Sequence, residues 1–317
     1  MQARVVATGS AAAREEVRRA LTGRRADWRS VVFHGVLLLT LLVALVVLLV
    51  LLADVARAAI PVLQERGGEF VSSGTSSLPV RAGIKQGLIG SAFLMLFVAV
   101  LSFPLGIGAA VYMEEYAKDT GFTRFVNTNI RNLAGVPAIV YGILGLALFV
   151  GLLGDVVGPG SVAGRSLLAG GLTISIMVLP IIIITTQEAL RAVPRSIREG
   201  GFGVGATRWE VIRSHVLPNA APGILTGTVL SMARALGETA PLIMVGAVTG
   251  FFVAQGGPGE QLQERFTSMP TLIFAWTKKP QPEFQDLAAA AILVLILAVF
   301  LVNLAAILLR NRYERRW

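Results

Sequence analysis

The sequence predicts an all-α polytopic membrane protein with six transmembrane helices, and three observations carry that prediction. Of the 317 residues, 54% are hydrophobic and only 15% charged, with a mean hydropathy of +0.71. The apolar stretches each exceed the ~18 residues that suggest a membrane span. Lysine and arginine also fall unevenly on the two sides that these stretches define.

The predicted spans are residues 31–52, 88–111, 131–153, 166–186, 220–248 and 287–309. With the N-terminus in the cytoplasm, 19 of the 28 Lys and Arg lie on that side and 8 on the other, while Arg234 lies within a span. That excess sets both termini inside. The net charge of +9 is then mostly topology, and nucleic acid need not be invoked. Cysteine is absent, which excludes disulfides, thiol catalysis and Cys-ligated metals. Two histidines, His34 and His215, are too few for a histidine-rich metal site.

Residues 1–30 read as an Arg/Ala-rich cytoplasmic tail. The first apolar stretch, Val31 to Leu52, is 22 residues long. A signal-peptide core runs only ~7–15, so this reads as a retained span. Residues 53–87 read as an external loop with a flexible stretch, Ser72 to Ser77, closing a first region at about residue 83. Residues 84–310 then form one compact membrane domain, and 311–317 a cytoplasmic end. Spans two to five each carry a proline: Pro104, Pro137, Pro180 and Pro241. Each removes an amide donor, and four in consecutive spans favour a bundle arranged around a pathway. Small residues such as Gly142, Gly145, Gly170 and Gly171 let helices approach closely. His34 and Asn303 read as satisfied packing positions in apolar spans.

The loop between spans four and five is the richest segment. It reads Glu199-Gly200-Gly201-Phe202-Gly203-Val204-Gly205, then nine residues, then His215-Val216-Leu217-Pro218. Pro194 could begin a helix at its first turn. Thr207 and Glu210 fit a capping box for a short helix from Arg208 to Ser214, after which Pro218 restarts the chain toward the membrane. Trp209 and Ile212, three apart, share a face. A helix this short needs packing, which a groove on a partner protein would supply, or lipid headgroups with Trp209 as anchor. No Gly-x-x-x-x-Gly-Lys-[Ser/Thr] phosphate loop occurs, so ATP would have to be bound by another subunit.

Span five holds Arg234 and Glu238, four apart on one helix face. A charge at that depth costs at least ~2.5–3.5 kcal/mol, so it needs a compensating role. Arg234 offers a donor fork suited to phosphate oxygens, and Glu238 can accept the hydrogen of a protonated phosphate. Sulfate, unprotonated at neutral pH, lacks that hydrogen. The alternative is a salt bridge within the bundle. Ser231, Thr228 and Thr239 either line the path or bond their own helix backbone.

Glu199, Gly205, Leu217 and Pro218 stand in the register of the loop by which ABC-importer permeases engage their ATPase, while Gly200, Gly201 and His215 depart from its usual residues. Further segments resemble the A-type permease of the Pst phosphate importer over about residues 80–310. They include Phe103-Pro104-Leu105-Gly106, Leu133-Ala134-Gly135-Val136-Pro137 and, most specifically, Arg234-Ala235-Leu236-Gly237-Glu238-Thr239-Ala240-Pro241. The resemblance implies a type I ABC importer permease fold with a cytoplasmic coupling helix, in a bacterial cell membrane. It implies ATPase coupling through Glu199, Gly205, Thr207, Trp209, Glu210, Ile212, Leu217 and Pro218, and a substrate path beside Arg234, Glu238, Ser231 and Thr239. The implied partners are a PstC-like permease, a PstB-like ATPase dimer and a PstS-like extracytoplasmic phosphate-binding protein. Inorganic phosphate is the implied substrate. The chain would be non-catalytic and hold no cofactor, with ATP and magnesium on the ATPase.

Two other classes stay open on the residues alone. A secondary transporter also uses broken helices and intramembrane charges, but it has no reason to carry an ATPase-docking loop. A membrane enzyme needs a nucleophile with its base, or a metal site, and Arg234 with Glu238 makes neither. Within the ABC class, permeases for other oxyanions share the loop spacing.

Overall fold

The computed structural model describes residues 28–157, 164–247 and 262–313. Of the expected tail at 1–30, residues 1–27 lie outside them, and Trp28 to Ser30 already belong to the first helix. Among the described residues the chain is helical and contains no strand. Five helices are long and apolar enough to cross a membrane, and a bent pair makes up to six. Two units divide the chain after Asp54.

The first unit contributes the apolar part of α1 (Trp28–Ser72). From Val31 to Leu52 its residues are almost all apolar on every side, the composition of a helix that crosses a membrane. His34, expected as a satisfied packing position, is instead exposed on this helix, with its Nδ1 2.6 Å from the Ser30 carbonyl oxygen.

The second unit begins with Val55 to Ser72, and here the sequence reading needs correction. This stretch is helix rather than loop, because Ala, Leu, Arg, Gln and Glu are good helix formers and two residues find a core. Ala59 and Phe70 are fully buried, and Phe70 packs 6.2 Å from the Trp276 ring, which stands 6.1 Å from Phe284. The Ser72–Ser77 stretch is pinned too. Ile84 N–H donates to Phe70 O at 2.9 Å, and Gly83 N–H to Gly74 O at 2.8 Å.

α2 (Lys85–Val111) carries Pro104 inside it and ends in a π-helical turn, Tyr112–Tyr116. α3 (Gly121–Ala134) and α4 (Ala138–Gly145) meet at a bend of 102°, and a π-helical turn, Leu146–Leu152, extends α4. The expected span 131–153 is thus corrected, since its first residues belong to a different helix. Pro137 cannot donate to a continuing helix, and the Tyr141 hydroxyl, donating to Leu133 O at 2.8 Å, ties the two arms. Beyond a four-residue α5 (Gly154–Val157) comes α6 (Leu167–Ala192), the most buried span. It packs on α2, α4 and the later helix Leu217–Gly237 around Leu94, Val98, Ile174, Val178, Ile182 and Met232.

α7 (Arg195–Gly203) and α8 (Arg208–Val211) form the loop before α9 (Leu217–Gly237). α9 stops at Glu238, and α10 (Ala240–Val245) restarts with Pro241 in its first turn. The expected continuous span 220–248 is therefore broken, and its last residue lies outside the described chain. A Cβ on Gly142 of α4 would sit 2.7 Å from Pro241 Cα, so the close approach expected there is real. α11 (Met269–Thr277) is short, and α12 (Pro282–Tyr313) is the last span. Of the four span prolines, Pro104 and Pro180 sit inside helices, whereas Pro137 and Pro241 mark breaks.

Candidate functional site

The span-five pair straddles the end of α9. Arg234 occupies the last turn, where the helix carbonyls favour a cation. Glu238 is no longer helical, with φ −75° and ψ 119°. The expected shared face of one helix is therefore corrected to a contact across a helix terminus. Arg234 Nε still reaches Glu238 Oε1 at 3.3 Å. The Arg234 side chain is 49% exposed and that of Glu238 20%. A half-exposed guanidinium beside a helix break needs protein or an aqueous cavity around it, because lipid satisfies neither.

The expected hydroxyl lining takes another course. Ser231 is buried and donates to Gly227 O at 2.8 Å, and Thr228 donates to Ile224 O. Both hydroxyls bond their own helix, as is common for Ser and Thr among apolar residues. Thr239 is half-buried at the start of α10 and makes no capping bond. The structure thus joins Arg234 to Glu238 and leaves Ser231 turned into the core.

The loop is built on a capping box. Thr207 N–H donates to Glu210 Oε2 at 2.8 Å, and Glu210 N–H to Thr207 Oγ1 at 3.4 Å. Gly205, at φ +85°, turns the chain from α7 to α8 in the left-handed region that favours glycine. Of the two departures from the usual alanines, Gly201 is tightly packed, since a Cβ there would lie 2.7 Å from Val211 Cγ2. Gly200 faces open space.

Two expectations for this loop are corrected. The short helix does not end at Ser214 for Pro218 to restart the chain. α8 passes through a π-helical turn, Ile212–Val216, straight into α9. The wider turn leaves Leu217 N–H on Ile212 O, and the amide missing at Pro218 falls in the first turn of α9. Nor do Trp209 and Ile212 offer a common face. Ile212 is 1% exposed among Leu190, Val193, Val216 and Ile224, whereas Trp209 is 53% exposed. A helix this short is stable only when an apolar side is covered, and its own fold covers that side.

What remains outward is Trp209, with Phe202 and Val204, both exposed large apolar residues that the sequence reading passed over. Their signal was available, since Val204 stands between two glycines in a polar loop. Also missed was the anchor of the loop. Arg198 meets Glu115 at 2.7 Å and donates to the carbonyls of Leu190 and Val193 at 2.9 Å each. Arg191 Nε donates to Glu114 Oε2 at 2.9 Å. Arg208 stacks over the Tyr116 ring, 5.4 Å from its centre. Glu114, Glu115, Arg191, Arg198 and Arg208, with Glu199, line an open cleft of about 580 Å³. Glu199 is exposed at its edge, and no ion pair among the described residues engages it. Leu217 is half-buried and Pro218 exposed at the start of α9.

Comparison with known proteins agrees with this architecture. Residues 102–317 match the family described as binding-protein-dependent transport system inner membrane component. The chain is 32% identical over 227 residues to a phosphate transport system permease protein PstA of Yersinia pestis, covering 71% of each protein. It is 33% identical over 255 residues to PstA 1 of Mycobacterium tuberculosis (strain CDC 1551 / Oshkosh), covering 79% of each. Among solved structures, a chain of a bacterial alginate ABC transporter in complex with its periplasmic protein superposes with a TM-score of 0.63 at 17% identity. That match covers 91% of this chain and 96% of the other, and it shows the type I ABC importer permease fold. The half-exposed pair at a broken span and the anchored loop thus stand in a multi-pass membrane protein that belongs to the family of inner membrane components of binding-protein-dependent transport systems.

Proposed function

We propose that this chain is the non-catalytic permease subunit of an ATP-driven phosphate importer, lining the translocation path with a second, PstC-like permease. The phosphate-permease names of its relatives support the substrate. The observation that carries the site is the Arg234–Glu238 pair at the end of α9. The pair engages Nε of Arg234, which leaves its two terminal nitrogens as a fork for phosphate oxygens. Glu238, when charged, accepts the hydrogen of a protonated phosphate. A fully ionised oxyanion meets the carboxylate as a like charge and is disfavoured.

The Glu199–Pro218 loop is the surface for a PstB-like ATPase dimer on the cytoplasmic side, with both termini on that side. A PstS-like binding protein delivers phosphate from outside. ATP and magnesium belong to the ATPase, and this chain holds no cofactor. Residues 84–310 act as the transport domain. Movement of the ATPase reaches the spans through the direct run from α8 into α9, whose far end carries Arg234.

Uptake of labelled phosphate into proteoliposomes that hold this chain with its co-purifying partners tests the reading. ATP-dependent uptake that sulfate does not compete supports it. Transport of another anion discards phosphate, and uptake that follows an ion gradient without ATP discards the importer.

A further inference from the structure

The last span carries a polar pair that lies outside the site assigned above. Asn303 and Arg310, seven apart on α12, share one helix face. They line a groove of about 310 Å³ between α9 and α12, walled by Thr226, Val229, Leu230 and Ile307. Nε of Arg310 is buried and has no hydrogen-bond partner. Among the described residues no carboxylate pairs with this arginine, and no hydrogen bond involves the Asn303 amide. The expectation of Asn303 as a satisfied packing position is thereby corrected. The Thr226 hydroxyl is committed to Pro222 O at 2.8 Å, so the guanidinium and the amide are the two donors of the groove.

Their placement selects the ligand. Arg310 stands in the final turns of α12, and Thr226 about 13 Å along α9 from its Leu217 end. The charged end of the groove therefore lies toward the membrane surface on the side of the Glu199–Pro218 loop. The Leu230–Asn303 end lies deeper. The stem of Arg310 is buried up to Nε, while its two terminal nitrogens stay accessible for an anionic head. A guanidinium above apolar walls complements an amphiphile with an anionic head. The planar fork takes phosphodiester oxygens, the alkyl walls take an acyl chain, and the Asn303 amide donates to an ester carbonyl. A free oxyanion would gain only the first of these contacts. Basic pockets between spans on the cytoplasmic side commonly hold anionic head groups.

We infer that the α9–α12 groove binds an anionic phospholipid of the leaflet on the loop side, its phosphodiester held by Arg310. The site is independent of which substrate the importer carries. To test it, the complex that co-purifies with this chain is titrated in detergent with phosphatidylglycerol or phosphatidylcholine while its melting temperature is followed. Phosphatidylglycerol raises the wild-type melting temperature and phosphatidylcholine does not. Arg310→Gln needs at least about tenfold more phosphatidylglycerol for the same shift, the loss of one charge-assisted hydrogen bond, and Arg310→Lys falls between. Leu230→Trp, which fills the groove without touching the charge, weakens the response as well and serves if Arg310→Gln fails to assemble. An unchanged phosphatidylglycerol response in both variants overturns the site. An equal shift with phosphatidylcholine, or with inorganic phosphate alone, overturns the ligand.

Discussion

Arg198 of α7 and Glu115 at the end of α2 form an ion pair at 2.7 Å whose side chains are only 20% and 10% exposed. The same guanidinium donates to two carbonyls at the end of α6 and just beyond it, Leu190 and Val193. One side chain therefore fastens the loop to two spans, and a push on the loop reaches both.

Breaking that pair leaves a largely desolvated charge. Glu115→Ala and Arg198→Ala should each destabilise the chain by about 2–4 kcal/mol, somewhat below a fully buried pair. The double variant should be no less stable than the worse single one, because both remove the same interaction. Thermal unfolding of the purified complex reads this directly, and additive losses would refute the coupling.

The two glycines after Glu199 should respond differently. Gly201→Ala drives a methyl against Val211 and should lower stability, and Val211→Ala should relieve it. Gly200→Ala enters open space on a helix and should be neutral or stabilising by up to about 1 kcal/mol. Melting temperatures of the three variants decide the matter, and equal effects at 200 and 201 would contradict the packing.

Trp209 and Ile212 separate docking from folding. Ile212→Ala removes a side chain at 1% exposure and should cost about 2–5 kcal/mol of stability. Trp209→Ala should leave the melting temperature nearly unchanged while uncoupling ATP hydrolysis from uptake. The ratio of ATP hydrolysed to phosphate transported is the readout, and an unaltered ratio would remove Trp209 from the docking surface.

Arg234→Ala should abolish phosphate uptake while the complex still assembles. Arg234→Lys keeps the charge but loses the fork, and should retain a small fraction of uptake. Glu238→Gln should narrow the preference for phosphate over sulfate, since it removes the negative charge that the ionised anion meets. Competition assays in proteoliposomes test all three, and normal uptake by Arg234→Ala would end the role assigned to it.

What the sequence determined by itself was everything carried by composition and short-range chemistry. Apolar runs located the long helices, because a backbone in lipid must satisfy its own hydrogen bonds. Thr207 and Glu210 announced their capping box, since it closes within four residues. The spacing from Glu199 to Pro218 identified the loop. Tertiary structure alone decided where those pieces face. Whether Pro104 sits inside a helix while Pro137 breaks one depends on what can satisfy the freed carbonyls. Ile212 turned inward because Leu190 and Val193, about twenty residues earlier, offered it cover. Arg198 found Glu115, 83 positions away, and Asn303 came to line a groove between α9 and α12. Side-chain burial and long-range ion pairs are properties of the packed bundle, and no local pattern of residues encodes which neighbour arrives.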